Sequence, residues 1–401
     1  MRVSTAQFYF QNAQQLSAKQ SDVNEQIQYL SSGKRVLTAK DDAVSFGTLA
    51  GYKDELSNIA KYQRNINQAE NRNGLQETSF ANAEDIMQEL KQLFIQANNG
   101  SLNDSDLDAL AELAKNSQEQ LLGIANIKDE TGGFIFSGFQ TQTTPFNLQA
   151  DGSVIYQGDS GVREIQIGKS VMVATNQAGD AAFEKVSNDI GDFTPSYNAN
   201  TSGISVNRAV VANPSTHDVL GNPPDYNFTF TSATDLTVTD GNGAVVFNTV
   251  AYTPGQTIAF NGVEVQLDGN PLPGDDFDLT PQEEVSIFDT IKNAIDWLQV
   301  GSSPANQVQH AVDYNQILGQ LDQALNHMTG NRVDAGVRLS LVDVQANNHA
   351  DSELTITSGH SNIEDLDFAK AVANFEQSQV SLQAAQQSFV QIKNLSLFNY
   401  L

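Results

Sequence analysis

Few residues in this chain have types and spacing suited to chemistry. The quartet Gly158-Asp159-Ser160-Gly161 carries a serine, five histidines stand at 217, 310, 327, 349 and 360, and aspartates gather at Asp268, Asp275, Asp276 and Asp278. A serine nucleophile needs a base and an orienting carboxylate beside it. Nothing beyond the four letters supplies them, so a turn between strands is the simpler reading. The histidines sit in polar surroundings, the last four in helix-forming sequence, and no pair has the i, i+4 spacing of a zinc-binding helix. The Asp268-Gly269-Asn270 run with its neighbours could offer oxygen to calcium, but it lacks the glutamate that closes an EF-hand loop, and solvated turn carboxylates are expected there. No catalytic residue, cofactor site or metal site is therefore expected, and the chain does not read as an enzyme.

Composition narrows the partners. The net charge of −27 divides as −6 over residues 1–130, −13 over 131–283 and −8 over 284–401. A surface so acidic repels phosphate backbones and anionic lipid, which disfavours nucleic acid and membrane as partners. With no cysteine, disulfides, thiolate metal sites and cysteine nucleophiles are excluded. The N-terminal residues lack the apolar core and cleavage site of a secretory signal, and no apolar run approaches a membrane span. If the protein leaves the cell, the expected route reads no cleaved signal peptide.

The elements that would position any site follow from proline and periodicity. No proline precedes Pro145 or follows Pro304, and a proline costs a helix interior about 3 kcal/mol. Both ends carry apolar residues three, four and seven apart. Leu16, Val23, Ile27 and Leu30 form a narrow seam up to the break at Ser31-Ser32-Gly33. A second helical pattern runs from Leu49 to Leu93 and stops at Asn98-Asn99-Gly100, where an Asn or Gly with positive φ is expected. Asn103, Asp104 and Ser105 offer caps for a returning helix to Ile124. Near the other end, helix is expected around Phe288–Leu298 and from Val308 to Met328. The longest seam comes last, through Phe368, Val372, Phe375, Leu382, Phe389, Ile392 and Leu395. Between the helical ends, alternating runs such as Tyr226-Asn227-Phe228-Thr229-Phe230 and Val263-Glu264-Val265 read as strands.

The expected fold is α+β: long terminal helices paired as a coiled-coil or helical-bundle rod, with inserted central β-rich modules. The divisions fall at 1–130 for the N-terminal helical half, 131–190 and 191–283 for two β-rich modules, the second projecting outward, and 284–401 for the C-terminal helical half. A seam this narrow leaves an isolated helix marginal, so both ends are expected to order on assembly.

The stretch Leu30-Ser31-Ser32-Gly33-Lys34-Arg35-Val36-Leu37-Thr38-Ala39-Lys40-Asp41-Asp42-Ala43 closely resembles the N-terminal signature of the flagellin family. Ser32, Gly33, Arg35, Asp41 and Asp42 are its signature positions here. Asn65-Ile66-Asn67-Gln68-Ala69-Glu70, Asp365-Leu366-Asp367-Phe368-Ala369-Lys370-Ala371 and Leu382-Gln383-Ala384-Ala385-Gln386 continue the resemblance. Gly133-Phe134-Ile135-Phe136-Ser137-Gly138, Tyr156-Gln157-Gly158-Asp159 and the ending Leu395-Ser396-Leu397-Phe398-Asn399-Tyr400-Leu401 resemble hook-associated members of that family more than filament flagellins. The resemblance implies a structural subunit of the bacterial flagellum, extracellular and exported unfolded through the flagellar type III apparatus. It places Leu397, Phe398, Tyr400 and Leu401 with the seam in an inner assembly core. Its implied partners are hook-associated protein 1, flagellin, a ring of like subunits and a flagellar export chaperone. A divergent filament flagellin and a secreted enzyme on a flagellin-like export frame are the alternatives.

Overall fold

The computed structural model describes residues 3–217, 225–303 and 305–394. The chain forms two compact units, one from residues 1–64 with 344–401 and one from 65–343.

The first unit contains α1 (Val3–Ser32), the start of α2 (Ala43–Ala97), the end of α6 (Gln307–Glu364) and α7 (Phe368–Asn394). α1 runs beside α7. The second unit holds the rest of α2 and α6 together with α3 (Asp104–Ala125), α4 (Pro214–His217), α5 (Ile287–Val300) and every strand.

Local sequence sets the helix ends. Asn103 accepts from the Asp106 amide at 3.1 Å while the Asp106 carboxylate accepts from the Asn103 amide at 3.1 Å, a reciprocal cap that starts α3. Ser286 Oγ accepts from the Phe288 amide to open α5, and Gly301 closes it at φ 62°. The end of α2 differs from expectation, because no residue among 98–100 takes a positive φ. The Asn99 amide instead turns back to the Gln96 carbonyl, and the Leu102 amide to that of Asn99. The helix expected from Val308 to Met328 continues unbroken to Glu364, through Gly330 and Gly336. A glycine costs a helix about 1 kcal/mol, which the inward residues Met328, Ala335 and Val342, all buried, offset.

Two apolar cores fill the second unit. One joins α2, α3, α5 and α6 to residues 135–186, and its centre is aromatic: Phe183 lies 5.2 Å from Phe136 and 5.4 Å from Phe146, and Phe146 lies 5.3 Å from Phe288. Short pairs brace this core, β1 (Phe146–Leu148) with β2 (Val154–Tyr156) and β5 (Val186–Ser187) with β14 (Glu284–Val285), while β3 (Glu164–Gly168) pairs with β4 (Val171–Ala174) and is tied to α2 where Asn73 Nδ2 donates to the Ala174 carbonyl.

The other core lies between two antiparallel sheets. Its strands are β6 (Phe193–Ala199), β7 (Ser205–Val211), β8 (Tyr226–Phe230), β9 (Leu236–Asp240), β10 (Val245–Thr249), β11 (Thr257–Phe260), β12 (Val263–Asp268) and β13 (Asp276–Pro281). They are ordered β10-β9-β8-β13-β6 and β11-β12-β7. Alternation puts Tyr226, Phe228 and Phe230 inside with Val263, Val265 and Leu267. Phe228 and Phe277 face each other in register and stack with centroids 4.7 Å apart.

Candidate assembly site

The signature segment forms a tight corner. α1 ends where Gly33, at φ 68°, returns its N–H to the Tyr29 carbonyl at 2.9 Å. Only glycine takes that conformation without strain. Ser32 Oγ donates to the same carbonyl at 3.1 Å and accepts from the Lys34 amide at 3.3 Å. Asp41 gathers the loop, accepting from the amides of Leu37 at 3.0 Å and Thr38 at 2.8 Å. Asp42 caps α2 through the amides of Val44 and Ser45 and the Ser45 hydroxyl. These bonds hold both carboxyls below their ordinary range, the Thr38 amide leading at Asp41 and the Ser45 hydroxyl at Asp42. Burial, helped by Asp41 and Glu25, pushes the Tyr29 phenol up to about 12.

A second corner, between α6 and α7, locks onto the first. The Arg35 amide donates to the Glu364 carbonyl at 2.7 Å and the Leu366 amide to the Gly33 carbonyl at 3.0 Å, so Lys34 and Asp365 form an antiparallel bridge. The buried Glu364 carboxylate takes Lys34 Nζ at 2.8 Å, Lys53 Nζ at 3.6 Å and His360 Nδ1 at 3.4 Å. The Lys34 hydrogen bond is the main reason its carboxyl lies below the ordinary value. Asp367 then caps α7, its Oδ1 accepting from the Lys370 amide at 3.1 Å. Sequence reasoning missed Lys34, Lys53, His360 and Glu364 as a set. The i, i+4 pair His360 and Glu364 was the available signal, but 330 residues separate Lys34 from Glu364, too far for any spacing rule.

From this clasp the terminal helices run side by side. Leu16, Val23, Leu30, Phe375, Leu382 and Phe389 are half-buried. Ile27, Phe368 and Val372 remain 46, 56 and 44 % exposed. Phe8, Phe10, Val380 and Val390, absent from the expected seam, are exposed as well, and Ala371 is buried. The side chain of Ile392 and the residues Leu395, Leu397, Phe398, Tyr400 and Leu401 lie outside the described residues.

Ser160, Asp159 and Asp275, among the residues first considered for chemistry, have structural partners. Ser160 Oγ donates to Asp180 at 2.6 Å and Lys185 Nζ to the same oxygen at 2.8 Å. Asp159 accepts from the Phe139 and Gly161 amides. The quartet links β2 to β3, which pair with other strands, so it is a crossing loop and not a hairpin turn. Asp275 corrects the expectation of a solvated turn. It is fully buried and accepts from Thr201, Ser202 and Leu272, because the two loops it joins need their amides satisfied inside. Among the described residues no three His, Cys, Asp or Glu side chains gather as a metal site, and no helix is long and apolar enough to cross a membrane.

One cleft, of about 660 Å³, separates the two-sheet module from α5 and α6. The Asp189 amide donates to Gln320 Oε1 at 3.1 Å, and its carboxylate sits so close to Gly319 that an added Cβ would clash with Oδ2. Its Oδ1 is buried with no hydrogen-bond partner, and burial pushes the carboxyl up to about 6.

Residues 3–141 match the bacterial flagellin N-terminal helical region, and residues 318–401 match the bacterial flagellin C-terminal helical region. Flagellar hook-associated protein 3 of Escherichia coli (strain K12) is 25 % identical over 189 residues, 47 % of this chain, and the match spans only 59 % of that protein. Flagellin A of Vibrio anguillarum is 24 % identical over 396 residues, 98 % of this chain and 94 % of that one. The crystal structure of flagellar hook-associated protein-3 from Legionella pneumophila superposes with a TM-score of 0.67 at 29 % identity, covering 78 % of this chain and 98 % of that one.

Proposed function

We propose, from the premise that this chain belongs to the bacterial flagellin family, that it is the structural subunit joining hook to filament. It is a flagellar component whose work is mechanical and not enzymatic. Exported unfolded, it meets hook-associated protein 1 on one side and flagellin on the other, in a ring of its own copies, and an export chaperone holds it beforehand. The observation that carries this reading is the unfinished seam: α1 and α7 lie together, yet Ile27, Phe368 and Val372 stay exposed. Covering a large apolar side chain stabilises by about 1.5–3 kcal/mol, and neighbouring subunits are the surface that supplies the cover. Leu397, Phe398, Tyr400 and Leu401 belong to the same inner layer in this reading.

The full-length match to a flagellin favours a second reading, a divergent filament subunit. Electron microscopy of a strain lacking the chain separates the two. A junction subunit predicts hooks without filaments and flagellin shed into the medium. Full-length filaments on those hooks would overturn the junction reading, and long polymers formed by the purified chain alone would establish the other.

A further inference from the structure

The two-sheet module is joined to the helical body by little more than two strands. The chain enters it after β5 and returns before β14, and neither apolar core crosses the boundary. Both crossings are pinned at Asn188, whose Nδ2 donates to the Phe193 carbonyl at 3.0 Å and the Gln282 carbonyl at 2.9 Å while its amide donates to the Glu283 carbonyl at 3.0 Å. Away from that pivot the contact with α6 is narrow and largely polar. Asn200 Nδ2 donates to Gln309 Oε1 at 2.9 Å, Gln309 Nε2 donates to Asp313 Oδ1 at 2.6 Å, and Val308 lies against Gly203. A small polar contact lets two bodies turn against each other.

Open space flanks this contact, and acids line it. Beyond the 660 Å³ cleft, a second cavity of about 280 Å³ separates Val312 and Asn315 of α6 from Tyr197 and Val206 of the module. Asp189 beside the pivot and Asp313 on α6 are half-buried. Asp289 and Asp296 face them from α5, His310 stands near Asp313 on α6, and Tyr197 and Asp268 border Asp189 from the module. Around these, Glu184 adjoins Asp289, Glu283 and Glu284 lie exposed on the returning strand, and Asp192 accepts from the Val211 amide. Lys292 is near, but Asp296 holds it at 2.5 Å. Among the described residues no lysine or arginine lines either cavity, and burial disfavours charge on His310.

We propose that the two-sheet module is hinged at Asn188 and swings away from α6 when Asp189 and Asp313 ionise. Protonated, the two carboxyls rest in a closed, poorly hydrated cleft. As anions they repel each other and the acids of α5, and they regain water only where the cleft widens. The narrow contact has little apolar burial to set against that force. Burial raises Asp189 to about 6 and lifts Asp313 above its ordinary value, so the closed form holds protons more tightly than the open form. Its population is therefore greatest in acid and falls as pH rises from the ordinary carboxylate range through about 6.

The chain has no cysteine, so spin labels can be placed without background. In the purified full-length chain, Ser196→Cys on β6 and Gln299→Cys on α5, both exposed, carry a pair from module to helical body. Gly123→Cys on α3, where space is open, forms with Gln299→Cys a pair within that body. Between about pH 5 and pH 8, the ratio of long to short distances from module to body should rise about tenfold by electron–electron resonance, while the helical pair stays constant. Asp189→Asn with Asp313→Asn should hold the short distance at both pH values. Asp189→Asn alone should at least halve the shift, and it carries the test should the double variant fail to fold. An unchanged distance in the parent chain, a shift that survives these substitutions, or an equal shift in the helical pair would each overturn the hinge. Because the readout is taken on the monomer, it stands or falls apart from any role in the flagellum.

Discussion

The two-sheet module and the paired terminal helices use similar residues to opposite ends. Between the sheets Tyr226, Phe228, Phe230 and Phe277 are wholly buried, and each apolar face has its cover within the chain. Along α1 and α7 the described seam residues are half-buried or open. A sheet pair closes on itself, whereas two helices enclose a stripe only partly and leave flanks that further helices must cover. The contrast separates residues whose cover lies within the chain from residues whose cover, on the proposed reading, neighbouring subunits supply.

That separation is open to a direct break. Phe228→Ala should cost the module about 3–5 kcal/mol, read as a lower midpoint in denaturant, while the helical ends keep their helicity. Phe375→Asp should do the reverse: the monomer's midpoint holds, and incorporation into flagella is lost because a charge in a closed seam lacks any partner. Loss of both properties in either variant would show that the two regions are energetically one.

Acidity sharpens the comparison, since the two regions should respond with opposite sign. Asp189 has a raised folded value of about 6, so the folded state holds its proton more tightly. Stability should therefore fall as pH rises from the ordinary carboxylate range through about 6 and then level. Asp289 and Asp313 line the same cleft and are raised by burial too. Asp189→Asn should remove part of that slope and stabilise the neutral-pH protein by on the order of 2 kcal/mol, seen in thermal melts across pH. An unchanged slope would mean that this carboxylate finds water.

The smallest effect belongs to the clasp. Glu364 is depressed, so its contribution is present above the ordinary glutamate range and is lost as pH falls through the lowered folded value. Glu364→Gln should flatten that loss by less than about 1 kcal/mol, because Lys34 and Lys53 are partly solvated. Amide exchange at Arg35 and Leu366 gives the local readout. Protection there that ignores both pH and the substitution would leave the backbone bridge alone in holding the corners.

Much of this was legible in residue order. Proline exclusion and three-four spacing marked the terminal helices, Asn103 marked a cap, and strict alternation marked β8 and β12, because each is a local pattern. The burial of Asp275 was not legible, since its donors Thr201 and Ser202 sit more than 70 residues away and a carboxylate beside glycines reads as a wet turn. The unbroken run of α6 through Gly330 and Gly336 was hidden for a similar reason, tertiary packing overriding weak local preference. Within the site, Gly33, Asp41 and Asp42 stood out by type, but Glu364 acquires its role only from what the other end of the chain brings to it.

The distance in sequence across that clasp also orders events in time. A chain that emerges from either end cannot close the bridge between Lys34 and Asp365 until both residues are out, so closure reports that both corners have emerged. Joining points 330 residues apart is slow by loop entropy alone. Once Arg332 has found Glu77, only roughly 75 residues of chain remain to be looped, which lowers the entropic barrier by about 1 kcal/mol. The central unit thus serves as a splint, and a truncated subunit, having no second corner to offer, stays unlatched.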